Sequence, residues 1–275
     1  MATDRMVEAE INYQGDMPGR PAYYAVDYSR DRLALQSCPV RIEDLRPEKG
    51  HQSLQEEGFT LLDQKSAVSD FRDEDQVARI YMPEIEQLLL RLTGASRVLM
   101  TPRGVLRFSE KSGDYGTRVN TRPARFAHVD FTSNALPVLL QPLLQANGLA
   151  QPPGQRYIAF NAWRVLSPPP QDVPLTLCDM RTVSADDLIP ADAIFDAPGM
   201  PEWSFEGYLI RRNPKHRWCY FSAMTPDEVL VFKSYDSQAH PLQCVPHVAF
   251  NDPGCPPDAP PRESIEVRGY AFFDD

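Results

Sequence analysis

Trp218-Cys219-Tyr220-Phe221-Ser222-Ala223-Met224, then Thr225-Pro226-Asp227, then Val229-Leu230-Val231-Phe232-Lys233-Ser234: an apolar run of strand length, a turn signal, and a second run rich in β-branched and aromatic residues. This is how a β-protein is punctuated. Outward from it, comparable runs fall at Arg97–Met100, Val105–Phe108, Tyr157–Leu166, Leu175–Val183, Gly207–Arg211, Val245–Phe250 and Ile265–Phe273. Asn213-Pro214 and Asp252-Pro253-Gly254 add turn signals between them. Many short strands with Pro- and Gly-bearing turns fold as a sandwich or barrel, and a jelly roll is a common solution at this size.

The N-terminal part reads differently. Residues 1 to about 70 are polar and weakly periodic, an extended arm with short strands at Ala22–Tyr28 and Phe59–Leu62. A helix follows, because Val77, Ile80, Tyr81, Ile85, Leu88, Leu89 and Leu92 recur at helical spacing. Asp75 suits its start and Gly94 its end, while Pro83 should kink it or begin a second segment. Asn134–Asn147 predicts a short helix among the strands. The expected organisation is a single domain, 1–275, with a helical N-terminal flank over 1–95 and a jelly-roll core over 96–275.

Composition narrows the function. The 275 residues carry 27 prolines and a net charge of −10. That acidity argues against a nucleic-acid or anionic-membrane surface, so the expected partner is a small molecule. The longest apolar stretch, Leu136 to Leu144, is broken by Pro137, Gln141 and Pro142, and the first residues lack an apolar leader. The scattered Cys38, Cys178, Cys219, Cys244 and Cys255 read as reduced thiols of a cytoplasmic protein. A homo-oligomer is compatible with the sequence but not readable from it.

The chemistry concentrates in three places. His128-Val129-Asp130 puts an imidazole and a carboxylate on one face of an extended segment. A third ligand from a distant strand would complete a two-histidine, one-carboxylate facial triad with open positions. His-x-Asp is a weak motif alone, but His247 lies in the apolar run Cys244–Phe250, and Arg262-Glu263-Ser264 opens the last strand. Arg262 and Ser264 share a face, and a guanidinium fork beside a hydroxyl suits a terminal carboxylate. A 2-oxo acid would chelate the metal and set its far carboxylate there. Arg262 could instead pair with Glu263 or Glu266, and Arg268 is an alternative anchor on the same strand.

Several separated blocks then share one order. They are Asn161-Ala162-Trp163-Arg164-Val165-Leu166, Pro174 to Val183, Met224 to Ser237, Pro246-His247-Val248-Ala249-Phe250, and Pro260 to Arg268. From about Phe59 onward the chain resembles the cephem-methoxylase-like hydroxylase/desaturase family of secondary-metabolite oxygenases. Val165 stands where proline is usual and Val248 where threonine is. The resemblance implies a double-stranded β-helix (cupin-like jelly roll). It also implies Fe(II) held by His128, Asp130 and His247, with 2-oxoglutarate anchored at Arg262 and O2 as co-reactant. The expected reaction is hydroxylation of an unactivated C–H, with desaturation or ring closure as variants. Rival readings are a metal-dependent hydrolase or isomerase on the same barrel, and a non-catalytic small-molecule-binding barrel.

Other polar positions receive expectations too. Asn161 should face the cavity and touch cosubstrate or substrate, with Trp163 on the same face as wall or core. Arg164 points the other way and should form a buried ion pair with Asp179 or Asp236. Tyr220 and Lys233 could reach a cosubstrate carboxylate, although Lys233 reads more readily as solvated. Arg103, Arg107, Arg118, Arg122 and Arg125 suggest a mobile loop before His128, over an acidic substrate or merely polar. His51, His216 and His240 sit in polar arm, turn and loop contexts and are poorer ligands.

Overall fold

Fifteen strands appear in the computed structural model, which describes residues 6–117, 120–150, 154–240 and 242–274. The N-terminal segment contributes β1 (Met6–Gln14), β2 (Ala22–Tyr24), β3 (Leu35–Asp44) and β4 (Phe59–Asp63). Next come β5 (Arg97–Met100), β6 (Val105–Phe108), β7 (His128–Val129), β8 (Tyr157–Val165) and β9 (Leu175–Cys178). The chain closes with β10 (Leu188–Phe195), β11 (Trp203–Ile210), β12 (Trp218–Tyr220), β13 (Glu228–Asp236), β14 (His247–Ala249) and β15 (Glu263–Phe272). The major sheet runs β1-β3-β12-β9-β14-β7-β11-β10-β2, and the minor sheet β4-β13-β8-β15-β5 with β6 also on β15. The runs on either side of Thr225-Pro226-Asp227 therefore belong to opposite sheets. Such crossings between two facing sheets, antiparallel except where β2 joins β10 and β3 joins β12 in parallel, make the mainly-β jelly roll.

The minor sheet is covered on both faces. Along β8, Ile158, Phe160 and Ala162 turn to the helical flank, while Trp163 and Val165 turn to the space between the sheets. A strand covered twice is buried throughout, and every residue of β8 is. The flank is one helical stretch in three parts: α1 (Glu74–Gln76), a π turn (Val77–Tyr81) and α2 (Met82–Thr93). Asp73, rather than Asp75, caps it by accepting from the backbone N–H groups of Asp75 and Gln76. The π turn ends just before Pro83, where a proline inside a helix removes one backbone donor. Gly94 ends α2 with φ 69, as the left-handed position requires. Ile85, Leu88 and Leu89 bury the apolar face, each contributing about 1.5–3 kcal/mol. A third helix, α3 (Ala135–Ala146), packs Leu136, Leu140 and Leu144 beside the second end of the barrel.

Two N-terminal strands escaped the hydrophobic pattern. β1 and β3 pair over nine residues at the edge of the major sheet, and most of their side chains are solvated. β10 was also hidden, since Pro190 and Asp192 interrupt its apolar alternation.

Candidate metal centre and cosubstrate cleft

Two neighbours set β7 in place. In the antiparallel ladders His128 stands opposite His247 on β14 and opposite Leu209 on β11. The imidazole rings lie 4.3 Å apart, centre to centre. Asp130 follows β7 directly, two residues on from His128, and its Oδ1 is 3.7 Å from His128 Nε2. One ligand atom from each of His128, Asp130 and His247 falls within 4.8 Å of the others, and all three residues are buried. Two nitrogens and one oxygen converging with this spacing fit a small divalent cation, and three protein ligands leave positions open.

Protonation is arranged for the same purpose. His128 Nδ1 lies 3.0 Å from the Phe126 carbonyl and His247 Nδ1 3.2 Å from the Val245 carbonyl. Each Nδ1–H donates to backbone, so each Nε2 keeps a lone pair. Burial, then the neighbouring His247, pushes His128 down to about 4, and burial lowers His247 as well. Burial alone would raise Asp130, but Arg268 and the two imidazoles hold it well below the ordinary carboxylate range.

β15 supplies the rest from one face. Arg262, one residue before its start, and Ser264, Glu266 and Arg268 along it follow one alternation, and Glu266 and Arg268 stand opposite Trp163 and Asn161 on β8. Arg268 Nε donates to Asp130 Oδ2 at 3.1 Å and its Nη2 to Glu266 Oε1 at 2.8 Å. Arg262 is 2% exposed, its Nη1 donates to Ser264 Oγ at 2.6 Å, and its Nε and Nη2 have no partner. Burial pushes this guanidinium down to about 9, so the site is short of an anion. Its Cζ lies 5.8 Å from the Trp163 ring centre. Arg262, Trp163, Glu266, His128, Asp130 and His247 all line one narrow cleft. A wider cavity of about 450 Å³ opens on the other side of His128 and Asp130, with aromatic, aliphatic and arginine side chains in its wall.

Several sequence expectations land elsewhere. Asn161 stands behind Asp130, donating to its Oδ2 at 2.6 Å, and lines neither the cleft nor the wide cavity. Tyr220 packs edge-on against Phe250 in an apolar cluster and lines neither of them. Lys233 is buried rather than solvated and donates to Gln243 Oε1 at 2.8 Å. Among the described residues Arg164 pairs with no carboxylate: it caps the Gln64 and Pro226 carbonyls and touches the Tyr81 hydroxyl. Asp179 and Asp236 are already taken by Arg181 and Arg156. His216 is not solvated, since its ring stacks on Tyr13 and meets Asp187 at 3.1 Å. His51 and His240 are exposed. Arg118 lies outside the described residues. Arg268 and Glu266 were reachable from sequence, because i, i+2, i+4 and i+6 on one strand share a face. Ser234, which donates to Asn161, carried no such signal.

A jelly roll holding two histidines and one carboxylate beside an anion-seeking arginine defines the non-haem-iron, 2-oxo-acid-dependent oxygenases as a class. A family model described as "Oxidoreductase/YMDC permease-like domain" matches residues 11–272. The hydroxylase/desaturase efuI of Hormonema carpetanum is 34% identical over 264 residues, covering 89% of this chain and 86% of that one. The Fe(II)/2-oxoglutarate-dependent dioxygenase nvfI of Aspergillus novofumigatus is 33% identical over 240 residues, covering 85% and 82%. A solved structure of the iron and alpha-ketoglutarate-dependent endoperoxidase NvfI matches with a TM-score of 0.81 at 26% identity over 100% of both chains. This chain belongs to that family, the Fe(II)/2-oxoglutarate-dependent hydroxylase/desaturase oxygenases. It is a dioxygenase that uses Fe(II), 2-oxoglutarate and O2, and not a hydrolase or a non-catalytic barrel. Among the described residues no helix is long and apolar enough to cross a membrane.

Proposed function

We propose that His128, Asp130 and His247 hold the iron, that Arg262 and Ser264 anchor the far carboxylate of 2-oxoglutarate, and that the wide cavity takes a small natural product or amino-acid derivative for C–H oxidation. The observation that carries this reading is Arg262: a buried guanidinium with two free nitrogens, in the cleft that the three ligands also line. An unpaired buried cation is costly, and a dicarboxylate reaching from the metal would relieve it. When bound, the iron and its cosubstrate supply the oxidising power, with 2-oxoglutarate leaving as succinate and carbon dioxide.

The protein's own contribution is placement. Arg268 and Asn161 occupy one oxygen of Asp130 and leave the other free to ligate. Trp163 walls the cleft, and the aromatic lining of the wide cavity excludes water from the reacting C–H. Hydroxylation is the default outcome, with desaturation or ring closure as variants, and the residues that hold the reacting C–H would decide between them, since a shift of about 1 Å is enough to change the result. The block pattern supports the cephem-methoxylase-like branch and a role in secondary metabolism. Three buried free thiols, Cys178, Cys219 and Cys244, support a reducing cytoplasmic setting, and the net charge of −10 supports a small-molecule partner over nucleic acid.

The test is anaerobic addition of Fe(II) and then 2-oxoglutarate, followed by visible absorption, with succinate release measured across candidate substrates. A charge-transfer band that needs both additions is expected. Its absence, with iron bound, would sink the assignment of the cleft.

A further inference from the structure

The wide cavity holds more cationic charge than its own acids can answer. Its walls are mainly apolar, with Phe131, Leu139, Ile194, Phe195, Phe205 and Tyr270 among them. Arg268 also reaches it but is spent on Asp130 and Glu266. Arg107 and Arg122 are not spent. Arg122 sets its guanidinium 4.4 Å from the Tyr28 ring centre and 4.9 Å from that of Tyr115, and makes no ion pair among the described residues. Stacking on ring faces fixes the plane of the fork and leaves its N–H edge unused. Arg107, at the junction of cavity and cleft, donates from Nη1 to the backbone carbonyl and side-chain oxygen of Asn120, and makes no ion pair among the described residues. Asn120 sits at φ 59, a left-handed conformation that asparagine tolerates better than most residues and that clusters at ligand clamps. Among the described residues the one acid in the cavity wall apart from Asp130 is Asp31, which accepts from the Tyr24 backbone N–H at 2.8 Å.

We propose that the substrate is an apolar molecule bearing one oxyanion, a carboxylate or ionised enol, and that Arg122 with Arg107 reads that group. This rests on the wide cavity being the substrate chamber. A guanidinium fork pairs with the oxygens of an anionic group, and the aromatic walls match a hydrophobic scaffold.

The probe pair is 8-anilinonaphthalene-1-sulfonate and N-phenyl-1-naphthylamine, the same scaffold with and without an anionic group, titrated by fluorescence. Wild type should bind the sulfonate about tenfold or more tightly than the neutral amine. Arg122→Leu and Arg122→Gln should each lose most of that preference while keeping their affinity for the neutral amine. Equal affinities in wild type, or unchanged sulfonate binding in both variants, overturn the inference. Equal weakening of both probes marks a packing role and also overturns it. The anaerobic band of the wild-type protein reports separately on the iron and cosubstrate reading.

Discussion

The side-chain amide of Asn161 donates to Oδ2 of Asp130 at 2.6 Å, the oxygen that Arg268 also holds. Ser234 donates to Asn161 in turn and fixes the amide's orientation. Partners behind a ligand typically change metal affinity by about 10–100-fold when removed. Asn161→Ala should therefore weaken Fe(II) binding by about that factor while the fold persists, as measured by anaerobic titration. Wild-type affinity in this variant would show that Arg268 alone orients the carboxylate.

Arg262→Ala should raise the Kd for 2-oxoglutarate by about 100-fold, because each charge-assisted bond contributes roughly 1.5–3 kcal/mol. Iron should still bind. Arg262→Lys should recover only part of the loss, since a point charge lacks the second nitrogen of the fork. Titration of the Fe(II)-loaded protein with 2-oxoglutarate under nitrogen separates the two effects. Unchanged affinity in Arg262→Ala would move the anchor to another cation.

Replacing His128, Asp130 or His247 by alanine should abolish stoichiometric iron and succinate formation. In wild type, Fe(II) should raise the Tm, because a ligand bound only to the folded state stabilises it. That rise should vanish in all three variants. Full activity in His247→Ala would remove the third ligand from the scheme.

The convergence of these side chains was more legible in the sequence than the rest of the fold. His128, Asp130 and His247 are visible because a metal demands specific donor types, and a strand's two-residue period announces which of them share a face. Arg262-x-Ser264 is visible for the same reason. Tyr220 shows the limit: it packs with Val129 and Val248, on the opposite face of the major sheet from His128 and His247, and a three-residue strand carries too little alternation to say which face turns inward. β1 and β3 were illegible because β1 buries one side chain in three and β3 one in ten, which leaves almost no alternation to read. Arg164 and Lys233 failed for a different reason. Burial of a cation depends on carbonyls and amides gathered from distant loops, and no local pattern records them.

Glu228 ties the start of β13 to the N-terminal segment. Its carboxylate receives Arg46 Nη1 and Lys49 Nζ, each at 2.6 Å, and the Thr225 backbone N–H at 2.8 Å. Burial pushes its pKa up, yet these donors outweigh it and hold it at about 2. A folded value below the unfolded one, near ~4.3, gives stability that is complete above that value and lost as pH falls toward 2. Glu228→Gln should cost about 2 kcal/mol at pH 7, roughly 4–8 °C in Tm. The gap from wild type should close between about pH 4 and pH 2. A pH-independent gap would mean that shape, not charge, is what Glu228 contributes.

Gly207 lies on β11 beside β7, the strand that carries His128 and leads into Asp130. A Cβ there would sit 2.9 Å from the Asp130 carbonyl oxygen and 3.1 Å from that of Val129. Both are backbone atoms, so neither can swing aside, and β7 would have to shift away from β11. Gly207→Ala should destabilise the protein by about 1–3 kcal/mol and weaken Fe(II) binding, because the displaced strand presents His128 and Asp130. At Gly113 a Cβ would meet nothing within 4 Å, so Gly113→Ala is the matched control and should leave both properties unchanged. Thermal melts with and without Fe(II) read both effects. If Gly207→Ala lost stability yet kept its iron affinity, the ligand pair would be positioned by the His247 side of the ladder instead of by β11.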